Sequence, residues 1–302
     1  MHNMIPPWIL HPLARRLYDG VAGNTDRLPA RPQLIAAESN LAQAWHCSSG
    51  RALLLQVLEH GFFLNQPAIG ERFVELLANG IESEPNQNAI YSHLHTYVKK
   101  TMSARKALQR DSRHRIKRRL EQLRQFLPAQ MSSLLDMGNG NGEITDLLAR
   151  YYKLDRRRAL GIDTVERAHP SRFYRQIYVS PTETIPVADA SFQVITMLMV
   201  LHHSQNPVNQ LREAWRVLRR GGELLIRESD VVTYTHKNFN AVMEDFYYRV
   251  FNNFPKIALP NYHLPAAYWI RFGQDCGFRL IEAAAVEASN PFAPVYIHLR
   301  KE

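Results

Sequence analysis

Three glycines at alternate positions, Gly138, Gly140 and Gly142, stand in the stretch "SSLLDMGNGNGEITDLLARYY" between an apolar run and a helical pattern. No other feature constrains the chain as much. Glycine costs backbone entropy, so a run of it is kept where positive φ angles or close approach to bare backbone are needed. A buried strand that ends in such a turn and opens a helix suits a nucleotide-like ligand lying against the helix N-terminus. The pattern is G-x-G-x-G and not the dinucleotide G-x-G-x-x-G, because position 143 is Glu. A pyrophosphate would be repelled by Glu143, whereas a ligand carrying a sulfonium and an amino group would not.

The grammar around the turn is alternating. Strands are expected at Ser133–Met137, Ala159–Asp163, Phe173–Val179, Phe192–Met199 and Gly222–Arg227. Helices are expected at Gly142–Tyr152 and Pro207–Leu218, with a short one near Val165. Strand and helix in alternation predict parallel βαβ units, hence an α/β fold with a Rossmann-like, doubly wound, mostly parallel sheet. Before it, residues 34 to 127 read as helical. The expected pieces are "LIAAESNLAQAWH", a helix behind a Ser48/Ser49 cap, one from Pro67 that stops at Gly80, and "SEPNQNAIYSHLHTYVKK". After it come the helical stretches "NFNAVMEDFYYRVFNNF" and "PAAYWIRFGQDCGF", and two strands able to form an edge hairpin. The expected organisation is a helical N-terminal domain (1–98), a basic amphipathic helical segment (99–127) and a ligand-binding domain (128–302).

Candidate site residues follow from this frame. Asp163 closes the second strand, where a carboxylate accepts hydrogen bonds from ribose hydroxyls. Asp136, ending the first strand, is placed to take an ammonium. The expected cofactor set is Asp136, Gly138, Asn139, Gly140, Gly142, Asp163, Thr164 and Leu201. His202 and His203 after the fourth strand, and Glu228 and Asp230 after the fifth, are the catalytic candidates, since open α/β sheets bind ligands at the carboxyl edge. Blander readings stand beside these: a histidine packed under the cofactor, and acids that are solvated or bonded to Arg227. The histidine pair has no third ligand at metal spacing, so no metal is expected.

Together these residues resemble the class I S-adenosylmethionine-dependent methyltransferases, which have a seven-stranded Rossmann-like sheet. "LLDMGNGNGEIT" looks like their first motif and "GIDTVE" like their second. "TETIPVADASFQVITMLMVLHHSQNPVNQLREAWRVLRRGGELLIRESD" is similar to the run through their fourth and fifth strands. The resemblance covers residues 110 to 285 and implies S-adenosylmethionine as cofactor, with S-adenosylhomocysteine as product. The chain departs from the family at Ser180–Pro181, where an Asp often meets the adenine, and at Gln193. "LLIRESD", with "FYYRVFNNF" and "YWIRFGQDCGF", is also similar to methyltransferases of large DNA viruses, although Ser229 replaces a histidine common there.

Charge adds a second clue. The 302 residues carry a net +9, and the segment Lys99–Arg124 alone holds eleven Lys/Arg against Asp111 and Glu121. That excess equals the whole chain's, so the remainder is balanced. Such a field attracts an anionic partner such as a nucleic-acid backbone, although a solvated helix face with its apolar stripe on the sheet explains it equally well. Cys47 and Cys276 form no ligand or disulfide pattern, no apolar run is long enough for a membrane span, and a cytoplasmic setting is expected. Three function classes remain: a methyltransferase acting on RNA or another nucleic acid, a small-molecule methyltransferase whose aromatic stretch "DFYYRVFNNF" could wall an apolar pocket, and a non-catalytic subunit that binds a protein partner through the N-terminal helices. The charge block tilts the sequence reading toward the first.

Overall fold

The computed structural model describes residues 16–17, 34, 36–101, 116–166, 171–180, 184–252, 260–287 and 289–302. Its centre is an eight-stranded sheet in the order β1-β7-β8-β6-β5-β2-β3-β4. The strands are β1 (Arg16–Leu17), β2 (Leu134–Met137), β3 (Ala159–Asp163), β4 (Arg175–Tyr178), β5 (Phe192–Leu198), β6 (Leu218–Ser229), β7 (Phe278–Ala285) and β8 (Pro294–Lys301). β4, β3, β2, β5 and β6 run parallel, and β8, β7 and β1 add antiparallel pairs. β2 and β3 are buried at every position, as strands covered on both faces must be. The chain leaves β2 toward β3 on one side and returns to β5 on the other, so a crevice opens at the carboxyl ends of β2 and β5.

The helices on the sheet are short and amphipathic. A helix over 116–123 buries Leu123; Glu143–Tyr151 buries Thr145, Leu148 and Ala149; Pro207–Val217 buries Leu211, Ala214 and Val217. Pro207 stands in the first turn of the last of these, and Asn206 caps it by accepting from the Asn209 N–H. The expected hairpin of the last two strands is present, but it is extended: β8 pairs with β6, and β7 pairs in turn with β1. Residues 164–166, where a short helix was expected, form a bend, and 167–170 lie outside the described residues.

A second core lies beside the sheet. We label the N-terminal helices α1 (Leu41–His46), α2 (Ser48–Val57), α3 (Pro67–Ser83) and α4 (Gln87–Thr101). The helix at 116–123 is α5, Glu143–Tyr151 is α6 and Pro207–Val217 is α7; α8 (Tyr234–Asp245) and α9 (Ala266–Asp275) follow. α8 continues into a wider π-type turn, Phe246–Phe251. Leu54, Phe73, Leu77 and Leu94 from the N-terminal helices pack with Phe239, Val242, Phe246 and Val250 from α8 and its turn. This layer is therefore assembled from both ends of the chain.

Three local expectations are corrected. The first helix begins at Leu41 and not at Leu34, because the Asn40 side chain accepts the Gln43 N–H and fixes the start. Neither Ser48 nor Ser49 caps α2; Cys47 precedes it without a side-chain bond. α3 runs through Gly80 to Ser83, and Gly80 is there for contact: a Cβ would come within 3.2 Å of the Ile90 side chain on α4.

Of the basic segment, residues 102–115 lie outside the described residues. Its apolar stripe is seated as expected, with Leu123 and Leu127 buried and Leu120 packed against them. Arg119 turns inward, donating to Glu287 and to the Tyr296 hydroxyl, while Arg227 pairs with the same glutamate at 2.9 Å.

Candidate active site

The glycine turn is shaped by three positive φ angles, 71° at Gly138, 56° at Gly140 and 78° at Gly142. Two of these glycines have separate steric reasons. A Cβ on Gly138 would lie 2.3 Å from a Val200 methyl, so the turn packs hard against the chain leaving β5. A Cβ on Gly140 would meet nothing within 4 Å, because that position faces open space. Gly142 caps α6, whose first turn carries Glu143 and Asp146.

Asp163, at the end of β3, reaches across to this turn. One carboxylate oxygen accepts the Gly140 N–H at 2.7 Å; the other accepts the Thr164 and Val165 N–H groups at 2.7 and 3.1 Å. Asp136 is placed differently from the sequence expectation. Thr145 of α6 and Thr196 of β5 donate their hydroxyls to its two oxygens at 2.6 and 2.7 Å, which closes the carboxylate beneath the turn. Burial pushes its carboxyl up to about 6, against the pull of the two threonines. Asn139 also turns away from open space and pairs its amide with that of Gln176 on β4. Leu201 is fully buried.

A cavity of about 460 Å³ joins these residues to the end of β5. Gly138, Gly140, Asp163 and Thr164 line one part, and His202, His203, Glu244, Tyr247 and Tyr248 another, with Phe62 and Phe292 completing the wall. At the hinge between the two, Met199 has a φ of 59°, a costly conformation for a side chain of its size, and its N–H donates to the Arg227 carbonyl. That turn delivers His202 and His203 to the cavity.

His202 is held firmly. Its Nδ1 lies 2.6 Å from one oxygen of Glu228, whose other oxygen accepts the Val200 and Leu201 N–H groups. Burial opposes a charge on His202, but Glu228 and Glu244 outweigh it and raise its pKa to about 10. The ring of His263 stacks on it at 5.5 Å, and burial together with that neighbouring charge lowers His263 to about 3. Glu244, in the last turn of α8, faces both rings: its oxygens are 3.6 Å from His202 Nε2 and 3.4 Å from His203 Nε2.

The expected catalytic residues thus part company. His202 and His203 line the cavity, Glu228 stands behind His202, and Asp230 caps α9 by accepting the Ala266 N–H at 2.8 Å. Arg227 bonds Glu287, not Glu228. Gln193 lies elsewhere, accepting from the Ser132 backbone and hydroxyl where the chain enters β2. The sequence offers no third ligand near the histidine pair, yet folding supplies Glu244. Glu244, Phe62, Tyr247 and Tyr248 come from the helical layer; the two tyrosines belong to the aromatic stretch "DFYYRVFNNF", whereas no local pattern marks Glu244 or Phe62.

Comparison with known proteins agrees with this geometry. Residues 135–226 match a family described as methyltransferase domain. A stretch of 107 residues is 33% identical to an arsenite methyltransferase of Aquipseudomonas alcaligenes, covering 30% of this chain and 31% of that protein. The chain therefore spans about a third of that curated relative's length. Among solved structures, a methyltransferase complexed with the Trm112 activator of Haloferax volcanii is 12% identical with a TM-score of 0.51, over 65% of this chain and 95% of that one. An S-adenosylmethionine-dependent methyltransferase of Listeria monocytogenes is 18% identical with a TM-score of 0.45, over 60% and 97%. Residues 135–226, from β2 into β6, are thus the part of the chain that is similar to the methyltransferase domain family.

Proposed function

We propose that this protein transfers the methyl group of S-adenosylmethionine to a small molecule bound in the same cavity. The observation that carries the reading is the continuity of that cavity. It runs from the glycine turn and Asp163 to a wall of His202, His203, Tyr247 and Tyr248. The residues fit the cofactor: the Gly140 position opens into space that a side chain would fill, and the Asp163 carboxylate stands beside it. Asp163 is the ribose acceptor, with Thr164 beside it, and the backbone of Gly138 and Gly140 receives the rest. Asp136 contributes its charge from beneath the turn. The bound cofactor supplies an electrophilic methyl carbon that is already activated. The protein's own work is then to hold the acceptor in line and exclude water, which Phe62, Tyr247, Tyr248 and Phe292 do as apolar walls. His203, on the same wall, can take the acceptor's proton where one must leave.

The small acceptor is favoured over nucleic acid because this wall comes from the chain's own helical layer. An arsenite-like acceptor is not favoured: trivalent arsenic seeks thiolates, and neither Cys47 nor Cys276 lines the cavity. A protein partner on the N-terminal helices remains compatible with this reading and is a separate question. The test is transfer of labelled methyl to a panel of small hydroxyl, amine and carboxylate acceptors, with RNA in parallel. Transfer to a small acceptor is expected, and transfer to RNA alone would overturn the proposal.

A further inference from the structure

We infer that His202, His203 and Glu244 form a binding site for a divalent transition-metal ion on the wall of the cavity. One ligand atom from each lies within 4.8 Å of the others. Their spacing is the first argument. Where these groups make a plain ion pair they close to contact, as His202 Nδ1 does with Glu228 at 2.6 Å. Toward Glu244 the Nε2 atoms stand off, His202 at 3.6 Å from one carboxylate oxygen and His203 at 3.4 Å from the other. Ligands about 2.1 Å from a shared zinc-like ion, set at tetrahedral or octahedral angles, are roughly 3.0–3.4 Å apart. The separations to Glu244 are close to that spacing, and the three ligand atoms, within 4.8 Å of one another, would draw in slightly around an ion.

Orientation is the second argument. His202 is 2% exposed, and its Nε2 has no hydrogen-bond partner among the described residues. Its Nδ1 is engaged by a carboxylate that two backbone N–H groups hold in place. A carboxylate behind a histidine in this way fixes the ring and leaves Nε2 to ligate, the arrangement found around metal-bound histidines. The Tyr262 N–H bonds the His202 carbonyl, and the His263 ring stacks on the imidazole, so the ring has little freedom. Once the ion displaces the proton on His202, two imidazole nitrogens and one carboxylate suit zinc and its first-row neighbours and leave coordination positions open to the cavity. On the methyl-transfer reading, an acceptor oxygen would occupy one of them and be polarised there. That last step rests on the proposed function; the ion site does not.

The test is calorimetric titration of zinc into the full chain, freed of metal and without cofactor. Cobalt absorption provides a second readout. One equivalent should bind, with a visible cobalt band. His203→Ala and Glu244→Gln, both at partly exposed positions, should weaken binding at least roughly tenfold and remove the band, while circular dichroism stays unchanged. Glu228→Gln should weaken it by about 10–100-fold. Failure of the wild-type chain to bind, or binding undiminished in both His203→Ala and Glu244→Gln, overturns the inference. Because no cofactor is present, neither result depends on whether the methyl-transfer reading holds.

Discussion

Gly140 and Asp163 carry the cofactor side of the account. Asp163 accepts three backbone N–H groups in the structure, one of them from Gly140. Asp163→Ala should weaken S-adenosylhomocysteine binding by about 1.5–3 kcal/mol, the worth of hydrogen bonds to a charged group, as read by calorimetry. Asp136 makes a different prediction, in stability. Its carboxyl is raised from an ordinary 3.8 to about 6, mainly by burial. An acid whose pKa is raised on folding favours the folded state while protonated, and that contribution is lost as pH climbs through the folded value. Urea denaturation should therefore show wild type losing ground to Asp136→Asn between pH of about 4 and about 6.5, by on the order of 3 kcal/mol. A pH-independent difference would mean that the carboxylate is better solvated than its contacts with Thr145 and Thr196 indicate.

At the scale of elements, the wall of the cavity depends on α8 and its π-type turn. Phe246 is fully buried there, edge-on to Phe73 of α3 and Tyr91 of α4, and it is flanked by Tyr247. Phe246→Ala should cost about 3–5 kcal/mol in urea denaturation, as other large core truncations do. It should also raise KM for the acceptor while leaving affinity for S-adenosylhomocysteine nearly unchanged, because the glycine turn lies in another core. Strands β2 to β8 and the turn were legible because their signals are local: apolar runs and a fixed spacing of glycines; the two-residue β1, within the stretch read as the helical N-terminal domain, was not. Of the helical wall only the aromatic stretch was legible; Glu244 and Phe62 were not. Glu244 lies on a helix far along the chain from His203, and Phe62 is more distant still, so only packing brings them to the cavity. The stop expected at Gly80 failed for a related reason, since that glycine serves a contact between helices. Asp136 was correctly placed at a strand end, but the two threonines that cover it come from α6 and β5.

Across the whole molecule, charge and site separate. Five of the eleven cations of Lys99–Arg124 (Arg105, Lys106, Arg110, Arg113 and Arg115) lie outside the described residues, and Arg119 is bonded inside the fold. If the acceptor is small, turnover should be indifferent to salt between about 50 and about 200 mM. Nucleic-acid binding would weaken steeply over that range. Reversing charge at Arg113, Arg115 and Lys117 should likewise leave turnover unchanged; a large loss would return the acceptor to the basic segment. The central claim is that the cavity beside Gly140 holds S-adenosylmethionine, and calorimetry with S-adenosylhomocysteine tests it most directly. Wild type should bind one equivalent, and Gly140→Val should stay folded yet bind none, since its side chain enters the open space and resists a φ of 56°. Absence of binding by wild type, or equal binding by Gly140→Val, would contradict the account.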